Sequence, residues 1–262
     1  MNINNDLVEL QPFLMSSVPK SGTHLLHQIL NGIPNITNDI RDLEKKFFID
    51  HHPQNSSIYK DHLYRLAYLQ PNEFGIGHIF HSDEYAYMLK RLELKHIFIY
   101  RDPRDVLISL IHFIPKYWNE HPLYNDFNES IVTNAERIET LILGVEDKWP
   151  NFDAWNRPFY NWITDSNTLA ISFEELMISK DSQRKCMKKI ISYLFEDKKP
   201  PLPLEKMITL MEDNINPGKS RTFRKGKIAS WREEFDDKTK EMFKKVAGNL
   251  LIDFGYESDH NW

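Results

Sequence analysis

Short apolar runs and longer amphipathic stretches alternate along this chain. Three runs, which end near Val18, Tyr100 and Phe173, are rich in β-prone residues and contain few polar positions. Runs of this kind are typical of strands buried on both faces of a parallel sheet. Apolar residues at helical spacing follow them, as at Leu26 and Leu30 after the first run. The pattern predicts an α/β fold with a central, mostly parallel sheet and helices on both faces.

Size and charge narrow the class of protein. The 262 residues suit one domain spanning 1–262, and a formal net charge of −5 argues against a general nucleic-acid or anionic-membrane binder. Cys186 is the single cysteine, which excludes an internal disulfide and favours a reducing, cytoplasmic setting. We expect no signal peptide, because the N-terminus has neither a basic region nor a long apolar run. We expect no membrane span, because no stretch approaches the ~20 apolar residues that a span requires.

The most informative stretch lies at the end of the first apolar run. Pro19, Lys20, Ser21, Gly22 and Thr23 lead from the predicted strand directly into a helix. Glycine lets the backbone approach a ligand closely, and serine and threonine suit a helix N-terminus. Helix N-termini bind phosphate readily, and Lys20 adds a full positive charge. The spacing is not that of a Walker A loop, but the stretch still predicts a phosphate-binding turn.

A second segment, at 75–85, predicts a short strand that ends at a glycine and a histidine. Gly77 and His78 mark that end, and a helix is expected to begin near Ser82. His81 lies only three residues beyond His78. On this evidence alone, His78 is either a functional residue or a histidine held by backbone hydrogen bonds.

A third segment follows the run at 95–100. Arg101 stands at the predicted strand end, and Ser109 lies eight residues further along a helix. Arginine presents a planar fork of donors that suits a phosphate, and a serine two helical turns away can add another donor. Arg104 and Asp105 are interpreted as a solvated or capping pair.

Taken together, these segments resemble the sulfotransferases that use 3′-phosphoadenosine 5′-phosphosulfate (PAPS) as donor. That family has the pattern PKSGT before a helix, a strand-end histidine, and an arginine and serine eight residues apart. A fourth family pattern, RKGxxGxxK, is matched by Arg224, Lys225 and Gly226. The matches stand in the family's order and extend from about residue 13 to residue 256.

The resemblance implies roles for particular residues. His78 is the implied general base, with His81 as the alternative, and Lys20 is implied to assist at the transferred sulfonate. The residues implied to contact the donor are Lys20, Ser21, Gly22, Thr23, His24, Arg101, Ser109, Phe173, Arg224, Lys225 and Gly226.

The chain departs from the family pattern at several positions. Leu25 stands where an aromatic residue often stacks on adenine, and Phe173 stands where tyrosine is commoner. Ile76 occupies a position at which many members carry a lysine. In the last motif, Ala229 replaces the second glycine and Arg232 replaces the final lysine. These departures put adenine stacking and the fine contacts of the last motif in doubt.

The chain between residues 112 and 162 is rich in aromatic residues, among which five acids are interspersed. These acids are Glu136, Glu139, Glu146, Asp147 and Asp153. We interpret them as a solvated face, and the alternative is an acceptor site suited to a cation. The part at 144–162 resembles the helix that borders the acceptor pocket in members that act on small molecules.

The expected function is therefore sulfonate transfer from PAPS to a hydroxyl or amine of a small acceptor, leaving adenosine 3′,5′-bisphosphate (PAP). A small polar or cationic natural product is favoured as acceptor, for example a guanidinium alkaloid of the saxitoxin type. We expect no metal, no nucleic-acid partner and no membrane partner, and the oligomeric state stays open. Two alternatives are a P-loop small-molecule kinase and a non-catalytic nucleotide-binding protein.

Overall fold

The computed structural model describes residues 9–49, 56–129, 131–219 and 226–262. Within these ranges the chain forms one five-stranded sheet, in the order β2-β3-β1-β4-β5, and each neighbouring pair of strands is parallel. The strands are β1 (Phe13–Ser17), β2 (Lys46–Ile49), β3 (Phe74–Ile79), β4 (Lys95–Tyr100) and β5 (Thr168–Ser172). The prediction of an α/β fold with a parallel sheet is confirmed.

Helices cover both faces of this sheet. They are α1 (Thr23–Asn31), α2 (Ser56–Ala67), α3 (Asp83–Arg91), α4 (Pro103–Tyr117), α5 (Tyr124–Phe127), α6 (Asn134–Leu143), α7 (Phe152–Tyr160), α8 (Phe173–Met177), α9 (Lys180–Leu194), α10 (Leu204–Asp213) and α11 (Asp237–Asp253). Within the described ranges, no helix is both long and apolar enough to span a membrane.

Two hydrophobic layers sandwich the sheet because successive residues of a buried strand point to opposite faces. In β1, Leu14 packs into one layer with α4, α6 and α11, whereas Phe13 and Met15 pack into the other with α1, α9 and α10. All three side chains are fully buried. This explains why the first apolar run has no alternation of apolar and polar positions.

Two glycines let β2 lie close to β3. A Cβ on Gly77 would lie 1.7 Å from the carbonyl oxygen of Phe47, and one on Gly75 would lie 2.5 Å from its ring. The strand β2 was not predicted from the sequence. It forms one edge of the sheet and carries Phe48, whose ring faces that of His78 at 5.5 Å between centroids.

The order of the strands determines where a ligand can bind. From β1 the chain runs to β2 and β3 on one side, and then crosses to β4 and β5 on the other. Open α/β sheets bind ligands beyond the carboxyl ends of the strands, at the point where the strand order reverses. Here that point is the carboxyl end of β1, where the Lys20 turn begins.

Candidate active site

The turn after β1 has an unusual backbone. Lys20 and Gly22 both adopt positive φ angles, of 71° and 96°, and Gly22 is the N-cap of α1 without a side-chain cap. Ser21 and Thr23 therefore do not cap the helix, contrary to the sequence-based interpretation. A Cβ on Gly22 would also lie 2.7 Å from the ring of Phe173, so glycine is required on two grounds.

A cavity of about 860 Å³ opens beside this turn. This volume lies within the usual range for small-molecule sites. Nine of the residues predicted to form a site line the cavity. They are Lys20, Gly22, Thr23, His24, His78, Arg101, Ser109, Phe173 and Gly226.

Three predicted site residues are not among those that line this cavity. Ser21 is fully buried, and its Oγ has no hydrogen-bond partner within the described part of the chain. Arg224 and Lys225 lie outside the described residues.

Arg101 is held against the cavity by several contacts. Its Nη2 donates to the carbonyl oxygen of Lys227 at 2.6 Å and lies 3.2 Å from Oδ2 of Asp105. Its guanidinium carbon lies 4.5 Å from the centre of the Phe173 ring. The Nε of Arg101 is buried and has no hydrogen-bond partner among the described residues. A buried donor of this kind is costly unless a ligand supplies the acceptor.

Arg104 and Asp105 are buried, so their interpretation as a solvated or capping pair is wrong. Arg104 forms ion pairs with Asp102 at 2.7 Å and Glu257 at 2.6 Å, and its guanidinium lies over the Trp231 ring. Asp105 accepts hydrogen bonds from the segment that follows Gly226. The sequence-based interpretation failed because the partners of Asp105 lie 124–126 residues further along the chain, where helical spacing cannot reveal them.

His78 lies at the end of β3 with its Nδ1 turned towards β1. This nitrogen is 3.0 Å from the carbonyl oxygen of Ser17 and 2.9 Å from its Oγ. A carbonyl oxygen can only accept, so Nδ1 carries the hydrogen and Nε2 is the nitrogen able to accept a proton. His81 is not among the residues that line the cavity, and its ring packs against Trp162 at 4.7 Å between centroids.

The other side of the cavity is formed by the later turns of α4. Ser109, Phe113 and Tyr117 recur every four residues, which places them on one face of the helix. The Nζ of Lys20 lies 3.4 Å from the centre of the Phe113 ring, a cation–π contact. Glu120, just beyond the helix, also lines the cavity. This aromatic face was not predicted from the sequence, although the four-residue spacing from Ser109 was a usable signal.

His24 is a cavity-lining residue with an altered titration. Burial lowers its pKa to about 4, and the neighbouring His27, Lys20 and His78 act in the same direction. The imidazole is therefore neutral near pH 7. It can accept or donate a hydrogen bond there without repelling the positive charge of Lys20.

Comparison with protein-family models matches residues 10–255 to the family described as "Sulfotransferase domain". The chain belongs to the sulfotransferase family. The prediction made from the PKSGT, His78, Arg101–Ser109 and RKG segments is confirmed at this level. A search of curated proteins gave no significant match.

Solved structures support the fold of this sulfotransferase. Mouse sulfotransferase SULT7A1 complexed with PAP superposes with a TM-score of 0.60 at 20% identity, covering 92% of this chain and 84% of the other. Retinol dehydratase with retinol and PAP gives 0.59 at 19%, covering 97% and 85%. Retinol dehydratase with androsterone and PAP gives 0.58 at 17%, covering 93% and 81%.

The five acids of the aromatic segment lie outside the main cavity of the sulfotransferase. Glu136 caps the first turn of α6, Glu139 lies 3.3 Å from Lys238, and Asp153 lies 3.0 Å from Arg157. Glu146 and Asp147 line a second cavity, of about 810 Å³, together with residues between 143 and 158. Within the described ranges, no cluster of three or more histidines, cysteines and carboxylates is arranged to hold a metal ion.

Proposed function

We propose that this sulfotransferase transfers a sulfonate group from PAPS to a hydroxyl or amine of a small-molecule acceptor. The observation that carries the donor assignment is Arg101, which lines the cavity and whose buried Nε has no hydrogen-bond partner among the described residues. Family membership and the PAP bound in the three structural neighbours support the same donor.

The residues at the cavity suit the two ends of this donor. Lys20 and the backbone amides of Gly22 and Thr23 would hold its 5′-phosphosulfate, because an open helix N-terminus and a cation attract an anion. The amide of Ser21, also predicted from the sequence, instead donates to the carbonyl oxygen of Val18 at 3.2 Å. Arg101 and Ser109 would hold the 3′-phosphate. Gly226 lines the cavity near Lys227, and the sequence match adds Arg224 and Lys225 from outside the described residues.

Two further residues would complete the donor site. The Phe173 ring packs between Gly22 and Arg101, which keeps both donor-binding segments at a fixed separation. His24 would contribute a neutral imidazole beside the turn. Leu25 also lines the cavity, so an aliphatic side chain is available where the family often stacks an aromatic ring on adenine.

The reaction requires a base, charge stabilisation and positioning. When bound, the donor supplies a sulfonate attached to its 5′-phosphate. The acceptor nucleophile attacks the sulfur atom, and the phosphate leaves from the opposite side. Nε2 of His78 accepts the acceptor's proton, since Nδ1–H donates to Ser17. Lys20 and the turn amides stabilise the charge that develops on the leaving phosphate. Arg101 and Ser109 hold the far end of the donor and so orient the reacting atoms.

We also propose that the acceptor is a small polar or cationic molecule of the natural-product type. Glu120 is the only acidic residue among the described residues that line the cavity. It follows Tyr117 and Trp118, whose rings lie 5.6 and 6.3 Å from the Phe113 ring between centroids. Aromatic faces and a carboxylate together suit an ammonium or guanidinium group. A guanidinium alkaloid of the saxitoxin type remains one example of such an acceptor.

The donor and reaction type can be tested together. We would supply PAPS labelled with ³⁵S, with tyramine or 4-propylphenol as acceptor, in buffer with and without a chelator. Label transfer that persists with chelator supports the proposal. Transfer of phosphate from ATP that requires magnesium would favour the kinase alternative, and tight PAP binding without transfer would favour the non-catalytic one.

A further inference from the structure

Two hydroxyl groups connect His78 to the Lys20 turn. Ser17 is the last residue of β1 and is fully buried. Its Oγ lies 2.9 Å from Nδ1 of His78 and 2.8 Å from Oγ1 of Thr23. Thr23 begins α1 and lines the cavity. The three side chains therefore form one continuous hydrogen-bonded chain from β3 to the turn.

The direction of these hydrogen bonds follows from the acceptor at one end. The carbonyl oxygen of Ser17, at 3.0 Å, holds the hydrogen on Nδ1 of His78. A lone pair on Nδ1 would face that oxygen's lone pairs, which is unfavourable. Ser17 Oγ is then the second acceptor of Nδ1–H. We assign its own hydrogen to Oγ1 of Thr23, because a buried hydroxyl needs an acceptor and this oxygen lies 2.8 Å away. Thr23 in turn keeps its hydrogen for an acceptor in the cavity.

We infer that Ser17 is a positioning residue, which fixes the tautomer of His78 and couples this base to the phosphate-binding turn through Thr23. The inference rests on the proposed function of His78. When Nε2 takes the acceptor's proton, Nδ1–H becomes a stronger donor to Ser17. Each hydroxyl along the chain is then polarised, so Thr23 becomes a stronger donor to the leaving phosphate as that phosphate gains charge.

No proton moves along this chain. The acceptor's proton ends on Nε2, and Nδ1, Ser17 and Thr23 each keep their own hydrogen throughout. The coupling is therefore electrostatic, and it acts mainly in the transition state. It predicts an effect on kcat that exceeds the effect on donor affinity.

A matched set of variants separates the hydroxyl from the shape of the side chain. Ser17→Ala removes only the hydroxyl, whereas Ser17→Thr and Ser17→Val add the same bulk and differ only in whether it includes a hydroxyl. We expect kcat of Ser17→Ala and Ser17→Val to fall by on the order of 10-fold, because each variant loses one hydrogen bond that stabilises a developing charge. Ser17→Thr should recover most of the loss relative to Ser17→Val. PAP affinity, measured by calorimetry, should change by less than about threefold in all three.

The neighbouring residue supplies a control in the same strand. Ser16 is also fully buried, and its Oγ lies 2.7 Å from Nε2 of His96. Adjacent strand residues point to opposite faces of the sheet, so this pair lies away from His78. Ser16→Ala removes an equivalent hydroxyl–imidazole bond and should leave kcat within about twofold of the wild type.

A spectroscopic measurement tests the inference without relying on turnover. The ¹⁵N shifts of the His78 ring, assigned by comparison with His78→Gln, should show hydrogen on Nδ1 in the wild type at pH 7.5. Hydrogen on Nε2 would overturn the inference, whether or not the protein transfers sulfonate. Equal kcat values for Ser17→Thr and Ser17→Val, in a protein that is active with PAPS and 4-propylphenol, would overturn the coupling while leaving the proposed function intact. Absence of transfer in the wild type would count against the proposed function and against the coupling that rests on it.

Discussion

Oδ2 of Asp105, in the first turn of α4, lies 3.2 Å from Nη2 of Arg101, which stands four residues earlier and precedes the helix. The same carboxylate accepts hydrogen bonds from the backbone of Ala229 and Trp231 and from the hydroxyl of Ser230. Its side chain is fully shielded from solvent. One buried charge therefore holds an arginine of the donor site and the segment after Gly226 in a fixed relationship.

We expect Asp105→Asn to weaken PAP binding by on the order of 10-fold, because Arg101 loses its ion-pair partner and the segment 229–231 loses an acceptor. The free energy of unfolding should fall by about 3–5 kcal/mol, the usual cost of breaking a buried pair. Calorimetry with PAP and urea unfolding measure the two effects. Asp153→Asn is the control, since Asp153 pairs with Arg157 at the same helical spacing on the surface. Unchanged PAP affinity in a folded Asp105→Asn protein would contradict this prediction.

The wild type should prefer PAP over 5′-AMP by on the order of 10²-fold, because two charge-assisted contacts to the 3′-phosphate are each worth roughly 1.5–3 kcal/mol. Arg101→Ala should remove much of that preference with little change in 5′-AMP affinity. Arg224→Ala should do the same, on the strength of the sequence match alone. Arg41→Ala, at an exposed arginine, is the control. Equal affinity of the wild type for both nucleotides would refute the assigned donor.

The choice between the two candidate bases has a direct test. His78→Ala should lower kcat by on the order of 10²-fold or more while PAP affinity barely changes, because the proton acceptor is lost. His81→Ala should retain most of the activity, since His81 packs against Trp162 rather than lining the cavity. The opposite ranking of the two variants in steady-state assays would move the assignment to His81.

Glu120 predicts a preference for positively charged acceptors. Tyramine and 4-propylphenol share a phenol and a similar length, but only tyramine carries an ammonium group. Glu120→Gln should lower kcat/KM for tyramine by about 2–5-fold, the modest effect of an exposed ion pair, and should leave 4-propylphenol nearly unchanged. Glu146→Gln, in the second cavity, is the control. Equal losses with both phenols would remove charge recognition from the role of Glu120.

Stability should fall as the pH is lowered from 6.5 towards 4. Burial lowers the pKa of His24 and His62 to about 4 and that of His96 to about 3, so the unfolded chain binds more protons than the folded chain in this window. Buried Asp102 and Glu174 have raised pKa values, which act in the opposite sense and offset part of the effect. Urea unfolding at pH 7, 6 and 5 measures the slope.

Measurements at different salt concentrations distinguish desolvation from charge–charge interaction as the cause of this pH dependence. Because desolvation is the first cause for each of the three histidines, 0.5 M sodium chloride should barely change the slope. His62→Asn should make the slope shallower. A slope that is the same in His62→Asn and in the wild type would show that His62 is not held neutral in the folded protein.

The strands with continuous β-prone runs were predictable, and so was the turn at Lys20, because local composition determines both. The edge strand at 46–49 was not predicted. Its four residues follow a polar stretch, and its pairing depends on the glycines of β3. Apart from the 224–226 segment, the residues predicted to form a site lie at the ends of β1, β3, β4 and β5 or just beyond them, and the parallel sheet brings those strand ends together.

The contacts that the sequence could not supply are those set by tertiary packing. In the sequence, Asp105 looks like any acidic residue in a first helical turn, and only the folded structure shows that it binds the segment 229–231. Glu120 is one acid among many, and only the direction of α4 brings it to the cavity. Ser17 precedes the recognised motif by two residues, and its role depends on a strand 61 residues away.

The central strand β1 separates the cavity-lining residues of the sheet into two groups, one on each side of it. The flank of β2 and β3 contributes Phe48 and His78, whereas that of β4 and β5 contributes Arg101 and Phe173. Substitutions on the first flank should therefore slow the transfer step with little effect on nucleotide affinity. Evolution could accordingly adjust the rate of transfer through β2 and β3 and the affinity for the nucleotide through β4 and β5, with each adjustment largely independent of the other.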